Sequence, residues 1–227
     1  LSIFDIEALY QIEWNFLPWF DRLSGDVPVA LEERLASEPA FFAEMIKLAF
    51  CSKHVSADSV ERLDEQKKTL AKHAYTLLNH WSTCPGMQKD GSFNEEVFHA
   101  WITEVRRLTE ESGHDEIAQV EIGKVLTHAS ADPSGLWIHK SVADVLNRRD
   151  SKIMRRDFMI ALMNQRGVHS FSHGVQEREL ARGYREKAEA VEKAGFVRFA
   201  TTMRELADRY DEDAERDENR DPLEEYS

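Results

Sequence analysis

The chain has 227 residues, with 42 acidic against 29 basic side chains and a formal net charge of −13. An apolar fraction of 42% and an aromatic fraction of 10% exclude a disordered chain. Ten Gly and six Pro exclude a collagen-like or linker-like one. No run approaches the roughly 18 apolar residues that a membrane-spanning helix needs. An acidic globular protein remains, of one large domain or two small ones.

Nearly every long segment has a helical period. Ile3 to Phe16 carries Ile6, Leu9, Tyr10 and Trp14 at 3–4 spacing, and Pro18 is expected to disturb its end. Trp14, Trp19 and Phe20 exceed what one core readily buries, which suggests a contact patch there. A short helix is expected from Pro28 to Leu35. Ser37 then reads as the cap and Pro39 as the first turn of a buried helix running through Phe41, Phe42, Met45, Ile46 and Leu48.

Ser59 to Trp81 reads as one amphipathic helix, stopped by Cys84-Pro85-Gly86. Ser92-Phe93-Asn94-Glu95 is a capping box that opens the next, which Gly113 closes as a left-handed cap. A helix over 115–129 follows, then a turn at Asp132-Pro133-Ser134-Gly135 and a short helix from Lys140 to Asn147. Asp150 or Ser151 caps another that ends at Gly167, followed by a polar loop over 168–174. Two last helices meet at Gly195, with Leu180, Tyr184, Ala188 and Val191 facing Phe199, Met203, Leu206 and Tyr210.

No segment alternates as a strand would. The expectation is an all-α fold of about nine or ten helices in antiparallel hairpins, as an irregular bundle or a short helical-repeat-like array. The hairpins over 94–129 and 175–214 look similar in length. Residues 1–217 are expected to form one domain, with possible sub-units 1–82 and 92–217, and 218–227 an acidic frayed tail. The start at Leu1, with no signal-peptide pattern, suggests a piece of a longer chain. Two cysteines, Cys51 and Cys84, cannot make a disulfide framework, so a cytoplasmic setting is expected.

No phosphate-loop, dinucleotide, zinc-protease or nucleophile-elbow motif is present. A calcium loop centred on Gly91 lacks its first carboxylate and its bidentate Glu. Glu96/His99 and Glu111/His114 match half of a di-iron site, but they lie beside one helix where such a site draws on several. No cofactor or metal is expected. An Arg–His pair, with His as acid/base and Arg on phosphate, is the pattern of all-α ribonucleases of the HEPN type. Arg166…His173 and Arg107…His114 fit its spacing.

Charge is unevenly spread. Residues 138–203 hold 13 basic and 8 acidic groups in an otherwise acidic chain. Arg148, Arg149, Lys152, Arg155 and Arg156 crowd around a helix start, where the helix dipole disfavours cations. They are the candidate contact patch for an acidic protein partner or for an upstream domain of the same chain; nucleic acid fits less well, with no aromatic residue there to stack bases.

Phe41-Phe42-Ala43-Glu44-Met45-Ile46-Lys47-Leu48, Leu77-Leu78-Asn79-His80-Trp81, Asn164-Gln165-Arg166-Gly167 and Gln176-Glu177-Arg178-Glu179-Leu180-Ala181 resemble the C-terminal helical region of large, uncharacterised bacterial multidomain proteins. The resemblance implies a bacterial, cytoplasmic C-terminal module, and no activity attaches to its motifs. The expected function is a non-catalytic helical interaction or scaffold module. The alternatives are a ribonuclease using Arg166 and His173, and a structural oligomerisation domain.

Overall fold

The computed structural model describes residues 3–20, 27–50, 65–165 and 174–219, and among them ten α-helices, one 3-10 turn and no strand are found. The fold is all-α, as the periodicity predicts. The chain divides into two compact units, Leu1–Ser130 and Ala131–Ser227.

The first unit holds α1 (Ile3–Phe20), α2 (Val29–Ser37), α3 (Pro39–Ala49), α4 (Glu65–His80), α5 (Glu95–Ser112) and α6 (Asp115–Val125). Its core is an aromatic triangle. Phe42 of α3 lies 5.3 Å from Trp81 and 5.2 Å from Trp101 of α5, and the two indoles are 5.8 Å apart. Trp101 is 2% exposed, and its Nε1–H donates to the Leu35 carbonyl at 3.1 Å. This packing of α5 onto α3 places the 81–94 loop inside the first unit, so the chain divides at 130 and not between 82 and 92.

Three helix ends differ from their local signals. α1 continues through Pro18 to Phe20, since proline removes one helical hydrogen bond without forbidding the following residues. Ser37 is the last residue of α2 and returns its hydroxyl to the Glu33 carbonyl, so it does not cap α3; Pro39 does open α3. Asn94, not Ser92, caps α5 by accepting from Val97 N, while Ser92 is held by Asp90 in a tight turn. Residues 51–64, which include the expected start of α4, lie outside the described residues.

The second unit holds α7 (Lys140–Asn147), α8 (Lys152–Gln165), α9 (Val175–Lys193) and α10 (Val197–Glu218). α9 and α10 form a long antiparallel hairpin about Gly195. α9 buries Glu177, Ala181, Tyr184, Ala188 and Val191 against Phe199, Met203, Leu206 and Tyr210 of α10. This alternating 4–3 spacing is a coiled-coil seam. The Tyr184 and Tyr210 rings stack in parallel at 5.6 Å. Leu180, expected in this seam, is half-exposed on a groove of α9, and Ala181 takes its place. The two hairpins are also unequal: α6 has 11 residues where α10 has 22.

Two glycines of α9 predict opposite effects of one substitution. Gly174 precedes α9 at φ 77°, and a Cβ there would meet the Ala214 carbonyl oxygen at 2.7 Å. Gly183 lies within the helix, and its Cβ would meet nothing within 4 Å. Urea denaturation is expected to show Gly174→Ala destabilised by about 1–2 kcal/mol or more, and Gly183→Ala stabilised by about 0.5–1 kcal/mol.

Candidate functional site

The site is built on the joint between α7 and α8. α10 has no capping side chain of its own at Phe196. Asn147, the last residue of α7, supplies the cap from a distance: its Oδ1 accepts from Arg198 N at 2.8 Å and from Phe199 N at 3.3 Å. Arg155, one turn into α8, turns back to the same joint. Its Nη1 donates to the Leu146 carbonyl at 2.6 Å and the Arg148 carbonyl at 2.5 Å. The Leu146 carbonyl is in the last turn of α7, which the helix itself leaves open, and the Arg148 carbonyl, just past that helix, also accepts from Ser151 N at 3.2 Å. The starts of α8 and α10 therefore converge on residues 146–148. Below them Phe158 of α8 meets Phe199 of α10 edge to face at 5.4 Å, with Trp137 5.9 Å from Phe199.

Between α8 and α10 lies a cleft of about 550 Å³. Lys152, Arg155 and Arg156 line it from α8, and Arg198 and Arg209 from α10. Glu205 is the sole carboxylate among its lining residues. Burial and the neighbouring Arg198 charge hold the Arg155 guanidinium below its usual pKa, opposed by Glu205 and Asp150. An arginine stays charged under such a shift. Thr201 and Thr202 also line the cleft, but their hydroxyls donate to the Val197 and Arg198 carbonyls. What the cleft offers a ligand is guanidinium and ammonium N–H groups.

The five cations singled out in the sequence have different positions. Arg155 is buried and committed to the joint. Arg148 pairs with Asp144 at 3.1 Å, and Arg156 with Asp157 at 2.6 Å. Arg149 is exposed at the joint. Lys152 is exposed in the cleft, and among the described residues it has no ion pair. Arg198 and Arg209, which complete the site, were not singled out in the sequence. They lie 42 or more residues further along, one at a helix start and the other in the acidic C-terminal stretch, and only the fold brings them to Lys152.

The other candidates do not assemble. Arg166 and His173 lie outside the described residues. Arg107 is held on the face of α5 by Glu104 and Glu111, both at 2.6 Å. His114 is buried, with its ring nitrogens on Ser112 Oγ and the Phe50 carbonyl. His99 is half-exposed against the Phe98 ring. Among the described residues no group of three His, Cys, Asp or Glu side chains is placed to hold a metal. Cys84 is 1% exposed, and burial pushes its thiol pKa far up, so it is unreactive. No known protein family matches the chain, and neither a curated protein nor a solved structure is similar to it.

The approach to α7 depends on Asp132, 9% exposed. Its carboxylate accepts from Ser134 N at 2.8 Å and from Lys140 N, the first residue of α7, at 3.1 Å. Burial alone would raise its pKa, but the hydrogen bonds from Ser134 and Lys140 and the Lys140 charge hold it well below the usual carboxylate range. A depressed pKa adds stability above the unfolded value of about 3.9 that is lost as pH falls. Asp132→Ala is therefore expected to cost about 1.5–3 kcal/mol at neutral pH. In denaturation series from pH 7 to pH 2 the gap to the wild type should begin to narrow below about pH 4 and keep narrowing to pH 2.

Proposed function

We propose that the chain is a non-catalytic α-helical interaction module, and that its α8/α10 cleft docks an acidic segment of a protein partner. The observation that carries this reading is five cations facing one carboxylate across a concave site, in a chain whose net charge is −13. A protein is favoured over nucleic acid because the lining residues include no aromatic ring on which bases would stack. The seat is firm because Arg155 and Asn147 fix the starts of both helices before any partner arrives. No helix among the described residues is long and apolar enough to cross a membrane. The cytoplasmic setting and the bacterial parent chain belong to the same proposal.

The test compares the wild type with the triple variant Arg156→Glu, Arg198→Glu, Arg209→Glu. Arg155 is left intact because reversing its charge would break the joint. Both proteins are titrated with a labelled ten-residue Asp/Glu peptide and with a single-stranded RNA of equal length, and both serve as bait in a bacterial lysate with and without nuclease. The expected result is peptide binding weakened at least about tenfold per reversed charge. A protein should be retained by the wild type under both nuclease conditions and lost from the variant. Binding of the RNA alone, or retention unchanged in the variant, overturns the reading.

A further inference from the structure

Unmatched positive charge is not spread evenly along the α8/α10 cleft. On α10, Arg198, Glu205 and Arg209 line it, and at about 100° per residue the three share one face within an arc of roughly 40°. Glu205 lies about 10 Å along the helix from Arg198, and Arg209 about 16 Å, so at that end a carboxylate stands one turn from the cation. On α8, Arg156 gives both Nε and Nη2 to Asp157 Oδ2, at 2.9 and 2.6 Å. What stays unmatched collects at the two helix starts, in Lys152, Arg155 and Arg198. None of these three has an ion pair among the described residues.

Arg155 is built into this end with part of its guanidinium uncommitted. Nη1 is fixed on the Leu146 and Arg148 carbonyls, and the residue is 9% exposed. A guanidinium has five N–H donors in a rigid fork. Those on Nε and Nη2 of Arg155 have no acceptor among the described residues. These two nitrogens form the edge that grips two oxygens of a carboxylate or phosphate in parallel. A cation nine-tenths buried, with that edge unfilled, in a side chain that lines a cleft, has the form of an anion seat. Asn147 brings Arg198 to it by holding the first turn of α10 to the same joint. Of the charges around Arg155, Arg198 acts on it more strongly than Glu205 or Asp150.

We propose that this end of the cleft seats a phosphoryl group, carried on a serine or threonine of the acidic segment that docks there; this rests on the docking function proposed for the same cleft. Two features favour phosphate over carboxylate. A phosphomonoester brings a charge of about −1.5 to −2 and three acceptor oxygens to one point. Two oxygens then meet the Nε/Nη2 edge of Arg155, and the third is left for Arg198 and Lys152. A carboxylate brings one charge and two oxygens, which Arg155 alone would use. A run of carboxylates does not make up the difference. Side chains on one face of an extended segment stand about 7 Å apart, so a run laid along the cleft carries one of them to Glu205. A single concentrated dianion at the helix starts avoids that clash. Serine or threonine is favoured over tyrosine because the lining residues include no ring on which a phenyl group would stack.

The full chain is titrated, at about 150 mM salt, with two labelled ten-residue peptides of matched charge. One carries a single phosphoserine in a neutral sequence, and the other carries two glutamates in the same sequence. The phosphoserine peptide is expected to bind at least about tenfold tighter. Arg198→Gln and Lys152→Gln, both exposed positions, should each cut that advantage at least about threefold. Arg209→Gln, at the other end of the cleft, should weaken both peptides alike and leave their ratio unchanged. Equal binding of the two peptides, or a ratio that Arg198→Gln and Lys152→Gln leave intact, overturns the phosphoryl seat. If both peptides are then lost from the triple variant Arg156→Glu, Arg198→Glu, Arg209→Glu, the docking function stands without the seat. Binding of neither peptide overturns both.

Discussion

A buried guanidinium sets the form of the second unit. Arg155 is 9% exposed and has no carboxylate within bonding distance among the described residues; it is held by two main-chain carbonyls at the end of α7. Placing a cation there costs desolvation, offset by two charge-assisted hydrogen bonds, one of which occupies a terminal α7 carbonyl that the helix leaves open. Because the guanidinium is planar and its fork rigid, the first turn of α8 is fixed against the joint. Asn147 ties the same joint to the start of α10. The cleft is therefore a consequence of how α7 ends.

The first unit uses the same device with carboxylates. α2 has Pro28 at its cap position, and Glu13 of α1 caps it from 17 residues away. Glu32, 1% exposed, receives four hydrogen bonds on one oxygen from the backbone and hydroxyl groups of Ser82 and Thr83, some 50 residues on. This clips the loop after α4 to α2. Such bonds span 17 to 51 residues, and no short window contains them. The two cap signals that failed did so to local competitors: the Ser37 hydroxyl turns back to the Glu33 carbonyl, and Ser92 is taken by Asp90 while Asn94 caps α5.

Much of the fold was legible for the opposite reason. Helical period is a local property, so the elements and the turns at Gly113 and Gly195 follow from spacing alone. Spacing says less about which of two adjacent stripes is buried. In α9 the apolar choice was Leu180, while the seam takes Ala181, whose small side chain lets the two helices of the hairpin approach. The candidate site was half legible. The cluster around α8 stands out in the sequence, yet a list of cations does not reveal that Arg155 is buried or that Arg198 and Arg209 complete the cleft.

The net charge of the basic segment is also a poor guide to where charge remains. Two of the five cations of α9, and Arg204 of α10, are matched across the hairpin. Arg178 pairs with Glu218, Arg185 with Asp208 and Asp211, and Glu192 with Arg204. These exposed pairs add little stability, about 0–1 kcal/mol each. Their effect is on the field: Asp208, Asp211 and Glu218 of α10 are matched by Arg185 and Arg178 of the hairpin partner. Lys152, Arg198 and Arg209 have no such match among the described residues, and Lys152 and Arg198 lie at helix starts, whose own positive ends add to theirs. An intramolecular match thus accounts for Arg178 and Arg185 of α9 but not for Lys152, Arg198 and Arg209 at the α8/α10 seam, and that difference leaves positive charge in the cleft.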